Sequence, residues 1–389
     1  MSLATEAWGF VASRVLPGLA GLACVTAVSA VPASATTDLN LQQTWGTNGR
    51  VLAILADPVS DRVYVAGNFT EVTDQDGTKP LAIANVAAFD PDSGEFDASW
   101  RPNPNGVVRS LALSGGRVYL GGDFTRVGSD RRTHLAAVDS GTGDLASWAP
   151  RATGGVVSAL AVKSGQLYVG GNFTALAGVA RPYLGRVSMS TGELGTLWTP
   201  RLDARVRTLA VSGDGSRMYV GGDFTRVNEN TAGQYIASIN TSRPGTLTAG
   251  FNAGATNAGK EAPAIDLHLD GDDLLAAVAG GGGGCTSLDA STGRTDWSHR
   301  GNGNMQAVTT IKGTVYCGGH FGGAGSFAGF DRYKIAAVDQ ETGKVLDFGP
   351  RVNSPLGIWA LENDATRLYL GGDFTKISGK PHPHFAVYA

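Results

Sequence analysis

Charge is scarce in this 389-residue chain: 31 Lys and Arg stand against 34 Asp and Glu, a net charge of −3. With no polybasic run there is no footprint for nucleic acid or an anionic membrane surface, and with no acidic run there is no solvating tail. Cysteine is scarcer, three residues in all, and none forms a C-x-x-C pair. P-loop, G-x-S-x-G and H-E-x-x-H motifs are also missing, so the sequence-local phosphate, acyl-transfer and zinc chemistries have no support. The long apolar run lies at the N-terminus: "VLPGLAGLACVTAVSAV", from Val15, follows Arg14 and leads to Ala33-Ser34-Ala35, an A-x-A-like cleavage site. This predicts a signal peptide over 1–35 and a mature chain from near Thr36 with no stable membrane span. Pro17, Pro32 and the interior glycines weaken the alternative of a spanning helix. "GLAC" at Gly21–Cys24 leaves lipidation of Cys24 open, although Gly21 stands where a lipoprotein box usually carries Leu. Secretion, with or without attachment to the wall or surface, is the expected location. Removal of the signal leaves Cys285 and Cys317, an even pair in an oxidising setting.

What the chain has in excess is glycine, 56 residues, and a repeated phrase. "VYVAGNFT" begins at Val63, "VYLGGDFT" at Val118, "LYVGGNFT" at Leu167, "MYVGGDFT" at Met218 and "LYLGGDFT" at Leu368, with a degraded "VYCGGHFG" at Val315. Aligned on it, each unit runs for about fifty residues, inside the range that signals a repeat architecture. An apolar strand ("VVRSLAL", "VVSALAV", "GIWALEN") is followed by a tight turn and the "YVGG" strand. A longer connection then leads to a third strand ("LAAVDS", "IAAVDQ"), a "TG" turn and a fourth segment ending in Trp or Phe. Seven units start near Gly49, Gly106, Gly155, Asp203, Ala262, Asn304 and Ser354. The expected fold is all-β: one domain over 36–389, a seven-bladed β-propeller of four-stranded antiparallel blades. The last unit lacks its fourth strand, and "DLNLQQTWG" from Asp38 resembles the missing piece, so the ring is expected to close with an N-terminal strand that removes an exposed sheet edge.

The phrase "YVGGDFT", followed by a strand, a D-x-x-T-G turn and an aromatic-Pro end, resembles the delta-60 type repeat of secreted bacterial propellers, also seen in fungal cortical proteins of cell polarity. "LAAVDSGTGDLASW", "TSLDASTGRTDW" and "IAAVDQETGKVLDF" are similar to the tryptophan-docking repeat of quinoprotein-like propellers. Together the two resemblances span the mature chain. They imply a fold and leave function open, because such propellers host unrelated activities.

A residue that the scaffold needs recurs in every blade, whereas an asymmetric ligand needs groups that only one or two blades supply. By that rule Asn68, Asp123, Asn172, Asp223 and Asp373, where Asp and Asn alternate, read as structural turn residues accepting bonds from nearby amides. The aromatics of the phrase and of the fourth segment read as packing between blades. Arg101, Arg151, Arg201, Arg300 and Arg351 follow the fourth segment and share a face with the long connections. There they either pair with the turn carboxylates Asp123, Asp223 and Asp373 or offer an anion site at the channel mouth. The repeat breaks most in the fifth and sixth units, at Gly280–Gly284, His299, Arg300, Asn302, Asn304 and His320, and these join the arginines as candidate binding residues. Alignment places Cys285 and Cys317 on neighbouring blades, where blade packing could bring them within reach of a disulfide; two buried free thiols are the alternative. No metal and no cofactor is expected: Asp270, Asp272 and Asp273 sit in an ordinary turn, and His382 and His384 are too few for a closed zinc site. The reading is a monomeric, non-enzymatic binding or scaffold module whose partner is a protein or glycan on the long-connection face. The alternative is a secreted hydrolase, lyase or quinoprotein-like oxidoreductase with its site in the central funnel.

Overall fold

The computed structural model describes residues 39–253, 262–281 and 283–389. The expected signal segment with Cys24, the start near Thr36, Asp38 of the closing segment and Gly282 of the glycine run lie outside the described residues. Among the described residues there is no helix, and none is long and apolar enough to cross a membrane.

Among the described residues eleven antiparallel sheets form, and seven of them, the main ones, follow one another along the chain. Their first and second strands are Val51–Asp57 with Arg62–Gly67, Val108–Ser114 with Arg117–Gly122, Val157–Lys163 with Gln166–Gly171, Val206–Val211 with Arg217–Gly222, Ala264–Asp270 with Asp273–Val278, Met305–Ile311 with Thr314–Phe327, and Ile358–Asn363 with Leu368–Gly372. The third strands are Val86–Phe89, Leu135–Asp139, Leu184–Ser188, Ile236–Asn240, Cys285–Asp289, Phe330–Asp339 and Phe385–Tyr388. We number these sheets 1 to 7. The expected four-stranded unit needs correction, because among the described residues only sheet 5 has a regular fourth strand, Thr295–His299. In sheets 1, 2, 3, 4 and 6 the fourth segment touches the third strand through a single bridge, such as Val138 with Leu145. The physical reason is the aromatic residue that follows: the segment leaves its own sheet early to carry that ring to the next one. Trp148, after the Leu145 bridge, donates its indole N–H to the carbonyl of Ser188 in sheet 3 at 3.0 Å.

The repeated Gly-Gly pair is explained by close approach. A Cβ on Gly121 would stand 2.5 Å from Val157 Cγ1 of the next sheet, and one on Gly122 would stand 2.1 Å from the Val107 carbonyl. Glycine therefore lets neighbouring sheets and neighbouring strands meet. The phenylalanine two residues beyond the pair is buried: Phe69, Phe124, Phe173, Phe224, Phe321 and Phe374 are all at most 2% exposed. Each apolar cluster spans two sheets, for instance Tyr64, Val86 and Trp100 of sheet 1 with Val118, Leu120 and Phe124 of sheet 2. Val51 and Phe89 of sheet 1 likewise pack with Tyr369 and Phe385 of sheet 7.

The N-terminal segment lies along the last strand. Asn40 N donates to the Ala389 carbonyl at 2.8 Å, Gln42 N to Val387 at 2.8 Å, and Ala389 N to Asn40 at 3.0 Å. Leu39 and Leu41 join the sheet 7 cluster, and the Trp45 ring packs 4.8 Å from Phe96 of sheet 1. The long second-to-third connections form small hairpins that also bridge the links between sheets, as Pro104 to Val127, Leu202 to Val227 and Val352 to Ile377 do. Cys285, opening the third strand of sheet 5, and Cys317, in the second strand of sheet 6, form a disulfide with Cα atoms 6.0 Å apart.

Candidate functional site

Every first strand carries a bulge after its first residue, so one extra residue per sheet is turned out of the ladder. Those residues are Leu52, Arg109, Ser158, Arg207, Ile265, Gln306 and Trp359, and all of them line one central cavity of about 320 Å³. The first strands of all seven sheets contribute to its wall.

One end of this channel is basic. Arg109 forks onto Asp123, Nε to Oδ1 at 2.5 Å and the terminal nitrogen to Oδ2 at 2.7 Å. Arg207 Nε donates to Asp223 Oδ1 at 2.6 Å, while Arg205 Nε stands 3.8 Å from the same carboxylate. Arg50 lies 3.9 Å from Asp373 and 5.1 Å above the Trp359 ring. Asp373 also accepts from Ser354 Oγ and from Leu356 N. Burial, followed by the charge of Arg207, lowers the pKa of Arg205 against the opposing charge of Asp223, and Arg109 adds a smaller push in the same direction as Arg207. Several atoms of wall residues are buried and have no hydrogen-bond partner among the described residues: Ser110 Oγ, which stands against Gly121, Gln306 Oε1, which stands against Gly357, Trp359 Nε1 and Arg205 Nε.

Farther along lie two carboxyl groups. Asp266 Oδ1 accepts from Leu267 N at 2.9 Å and from Thr208 Oγ1 at 3.4 Å, and its Oδ2 accepts from Val308 N at 3.1 Å. It thereby serves amides on the inner strand edges, which have no strand partner on the channel side. Burial pushes Asp266 up to about 6. Glu362, also on the channel wall, is pushed up to about 7 by burial, with the charges of Asp266 and Asp364 adding to it. Each keeps part of its surface open to the channel, so the protein surrounds both without sealing them. Below them His268 is held neutral by burial, against the pull of Asp270, and Thr310 Oγ1 touches both at 3.3 and 3.0 Å. Among the described residues no three His, Cys, Asp or Glu side chains gather to hold a metal ion.

The residues singled out from the sequence fall elsewhere. Arg101, Arg151, Arg201, Arg300 and Arg351 do lie beside the links that meet the long connections, but all five are exposed. The turn carboxylates pair with Arg109, Arg207 and Arg50 instead: the bulge aims Arg109 and Arg207 at Asp123 and Asp223, and Arg50, just before its first strand, stands 3.9 Å from Asp373. Arg101 Nε donates to the Ala98 carbonyl, and Arg351 lies 4.6 Å over the Tyr333 ring. The Asx turns sit at the end of the third strand: Asp139 Oδ1 accepts from the amides of Gly141 and Thr142, both at 2.8 Å, and Asp90 and Asp289 repeat this. Asn172 accepts from Val156 N, and the backbone N–H of Asn68 donates to the Arg50 carbonyl at 2.9 Å.

His299, Arg300 and Asn302 line an open groove with Phe330. His299 Nε2 is 2.5 Å from the Gly343 carbonyl, and Asn302 brackets Gly322 through both its amide and carbonyl. Asn304 accepts from Gly280 N at 3.0 Å, while His320 is exposed and its carbonyl accepts from Lys334. The channel acids were missed, yet a signal exists. Where Asp266 stands, the other first strands have Ala53, Ser110, Ala159, Thr208, Ala307 and Ala360; where Glu362 stands, they have Leu55, Ala112, Ala161, Ala210, His268 and Thr309.

A family model described as outer membrane protein assembly factor BamB matches residues 185–357, fewer than half of the chain. No curated protein matches the sequence. Among solved structures the chain is similar to the WD40 β-propeller domain of Doa1, with a TM-score of 0.58 and 13% identity over 91% of this chain and 98% of that one. It is also similar to the computationally designed Ika8 protein, with a TM-score of 0.50 and 14% identity over 89% of this chain and 98% of that one. The class is therefore an all-β propeller, with a stretch over 185–357 that is similar to the family model. At these identities the likeness carries the fold alone.

Proposed function

We propose that the chain is an exported, seven-bladed propeller of the delta-60 type, its ring closed by the N-terminal segment, acting as a binding module for a protein or glycan on its long-connection face. The observation that carries the binding reading is the channel mouth. Four arginines meet three carboxylates there, and the Arg205 Nε has no hydrogen-bond partner among the described residues. An unpaired buried donor or acceptor is costly unless something supplies its partner. Export is supported by the signal-like N-terminus and by the Cys285–Cys317 bridge, a bond typical of oxidising compartments. Closure is supported by the ladder of Asn40 and Gln42 on the last strand. A chain beginning at Gly49 is expected to aggregate or melt far below one beginning at Thr36, and equal stability would overturn closure.

The purified chain from Thr36, screened on glycan and peptide arrays, should retain at least one ligand that Arg205→Gln releases without a change in melting temperature. Turnover of a polysaccharide by the chain alone would overturn the binding reading. It would favour the second one, a hydrolase or lyase, which the Asp266 and Glu362 carboxyls support: acids raised toward neutrality suit general acid and base work. The family match is compatible with a quinoprotein oxidoreductase, but the described residues offer no gathered set of ion ligands for it.

A further inference from the structure

The joint between sheets 5 and 6 carries an open groove of about 890 Å³, lined from the tip of the sheet 6 hairpin to the turn at Gly343. That volume lies within the roughly 300 to 1,000 Å³ found for small-ligand sites. Two of its residues depart from the repeat. The residue that opens the returning arm of the second-to-third hairpin is Leu81, Asp130, Val179 and Lys380 in sheets 1, 2, 3 and 7. In sheet 6 it is Phe330, paired with Phe327. Phe330 is 48% exposed, and among the described residues it is the one exposed aromatic side chain. Past the third strand a backbone bond closes the turn onto Glu95, Asp144 and Glu193 in sheets 1 to 3, but onto Lys344 in sheet 6. The charge at that place is reversed.

The groove also holds Arg300, and neither cation is spent. Arg300 and Lys344 are exposed, and their side chains make no hydrogen bond or ion pair among the described residues. No described Asp or Glu lines the groove beside them. The frame beneath is held: Ala328 N donates to the Arg300 carbonyl at 3.0 Å, Gly301 bridges Phe327, and His299 Nε2 lies 2.5 Å from the Gly343 carbonyl.

An exposed aromatic ring suits a flat, partly apolar partner, and two unpaired cations with no acid among them suit an anionic one. A protein anchor wants an apolar pocket around it, yet apart from Phe330 only Ala328 and Val345 bring apolar side chains to the wall, with Gly301, Gly325 and Gly329 between them. A single-stranded nucleic acid wants successive rings for successive bases, and the groove has one. A sugar acid asks for a ring against its C–H face, cations for its carboxylates, and backbone groups of a glycine-rich wall for its hydroxyls.

We propose that this groove binds an acidic oligosaccharide, one sugar ring on Phe330 and carboxylates on Arg300 and Lys344. The site is separate from the channel mouth and goes beyond the reading above.

The test is calorimetric titration of the chain from Thr36 with tetragalacturonate, neutral maltotetraose, pentaglutamate and a short oligothymidine. Tetragalacturonate should bind, and each of the others should bind at least about tenfold more weakly. Phe330→Ala should weaken tetragalacturonate by about fivefold or more, and Lys344→Glu by about tenfold or more. Arg131→Glu, the same change of charge on the exposed hairpin of sheet 2, should leave the affinity within about twofold. Melting curves beside the titrations report folding, and Phe330→Ala keeps the test decisive if Lys344→Glu melts early. No binding of tetragalacturonate, equal binding of any of the other three probes, wild-type affinity in both groove variants, or an equal loss in Arg131→Glu would each overturn the proposal. Binding that Arg205→Gln abolishes and Phe330→Ala leaves intact would move the sugar to the channel mouth and overturn it too.

Discussion

The joints between sheets 1 and 4 and the joint between sheets 5 and 6 hold the same kind of interface by different means. In the former one set of parts is used three times. Trp100, Trp148 and Trp198 pack 5.0 to 5.2 Å from Tyr64, Tyr119 and Tyr168. Their indole N–H groups donate to the carbonyls of Asp139, Ser188 and Asn240 at 2.9 to 3.0 Å. At the fifth joint Trp297 still donates, to Gln340 at 2.8 Å, but Leu275 stands where the tyrosine would be, and the indole packs on His299 at 5.6 Å instead. Here, and in no other joint among the described residues, a disulfide crosses between sheets. The repeat is thus free to lose an aromatic partner where another bond does its work.

The largest effect expected from that contrast is at Trp198, which is fully buried. Trp198→Ala should cost about 4 kcal/mol in urea unfolding, the usual scale for removing a buried Trp. Trp297→Ala should cost clearly less while the disulfide is intact, and should approach the Trp198 value once it is reduced. Equal costs in the oxidised protein would break the comparison, since the bridge would then be sharing none of the load.

The bridge itself comes next. It spans a sequence separation of 32 residues, for which the chain-entropy account gives about 3.7 kcal/mol. Cys285→Ala with Cys317→Ala should lower stability by that amount, and peptide mapping of the unreduced chain should find neither cysteine alkylated. Labelling of both under denaturing, non-reducing conditions would remove the covalent half of the comparison.

How much of this was legible in the sequence follows from the same contrast. The strands, the Gly-Gly pairs, the buried phenylalanines and the disulfide could be read because each recurs or aligns against a recurring phrase. The fourth strand was overread: its residues alternate like a strand, but the tryptophan draws the segment away after one bridge. The channel was not legible from local pattern. Arg109, Arg207 and Gln306 reach it only because a bulge turns one residue per sheet out of the ladder, and a bulge leaves no mark in spacing. Asp266 and Glu362 lie on strands nearly a hundred residues apart and become neighbours only through the stacking of sheets.

Sheet 5 and sheet 7 also differ from the rest in their buried acids, which makes stability depend on pH. The ordinary values, 3.8 for Asp266 and 4.5 for Glu362, rise to about 6 and about 7. The folded state therefore holds protons that the unfolded chain has released. The stability each group contributes is full below its ordinary value and is lost as pH rises through about 6 and about 7. A shift of this size taken alone is about 3 kcal/mol. Partial solvation from the channel brings the expected total to about 2 kcal/mol. His268 and His382, lowered by burial, slope the opposite way, so the measurement is the difference between wild type and Asp266→Asn with Glu362→Gln. That difference should change by about 2 kcal/mol between pH 4 and pH 8. A flat difference would place both carboxyls in ordinary solvent.

The smallest effect separates the two sets of arginines. Arg151 recurs in the repeat, which argued from sequence for a structural partner, yet its side chain is exposed and its carbonyl, through Ala177 N at 2.8 Å, makes the bond that matters locally. Arg207 occupies a bulge position and holds Asp223 at 2.6 Å with both side chains about a third exposed. Removing it leaves a carboxylate whose other neighbour, Arg205, is 3.8 Å away. Partial exposure limits the loss, because solvent screens such a pair. Arg207→Ala is therefore expected to cost about 1 kcal/mol, and Arg151→Ala less than about 0.5 kcal/mol. Chemical denaturation of the two variants side by side orders them. Were Arg151→Ala the costlier, recurrence in the repeat would be the better guide to structural arginines than the bulge geometry, and the four-arginine mouth would lose its claim to be the part of the scaffold set aside for a ligand.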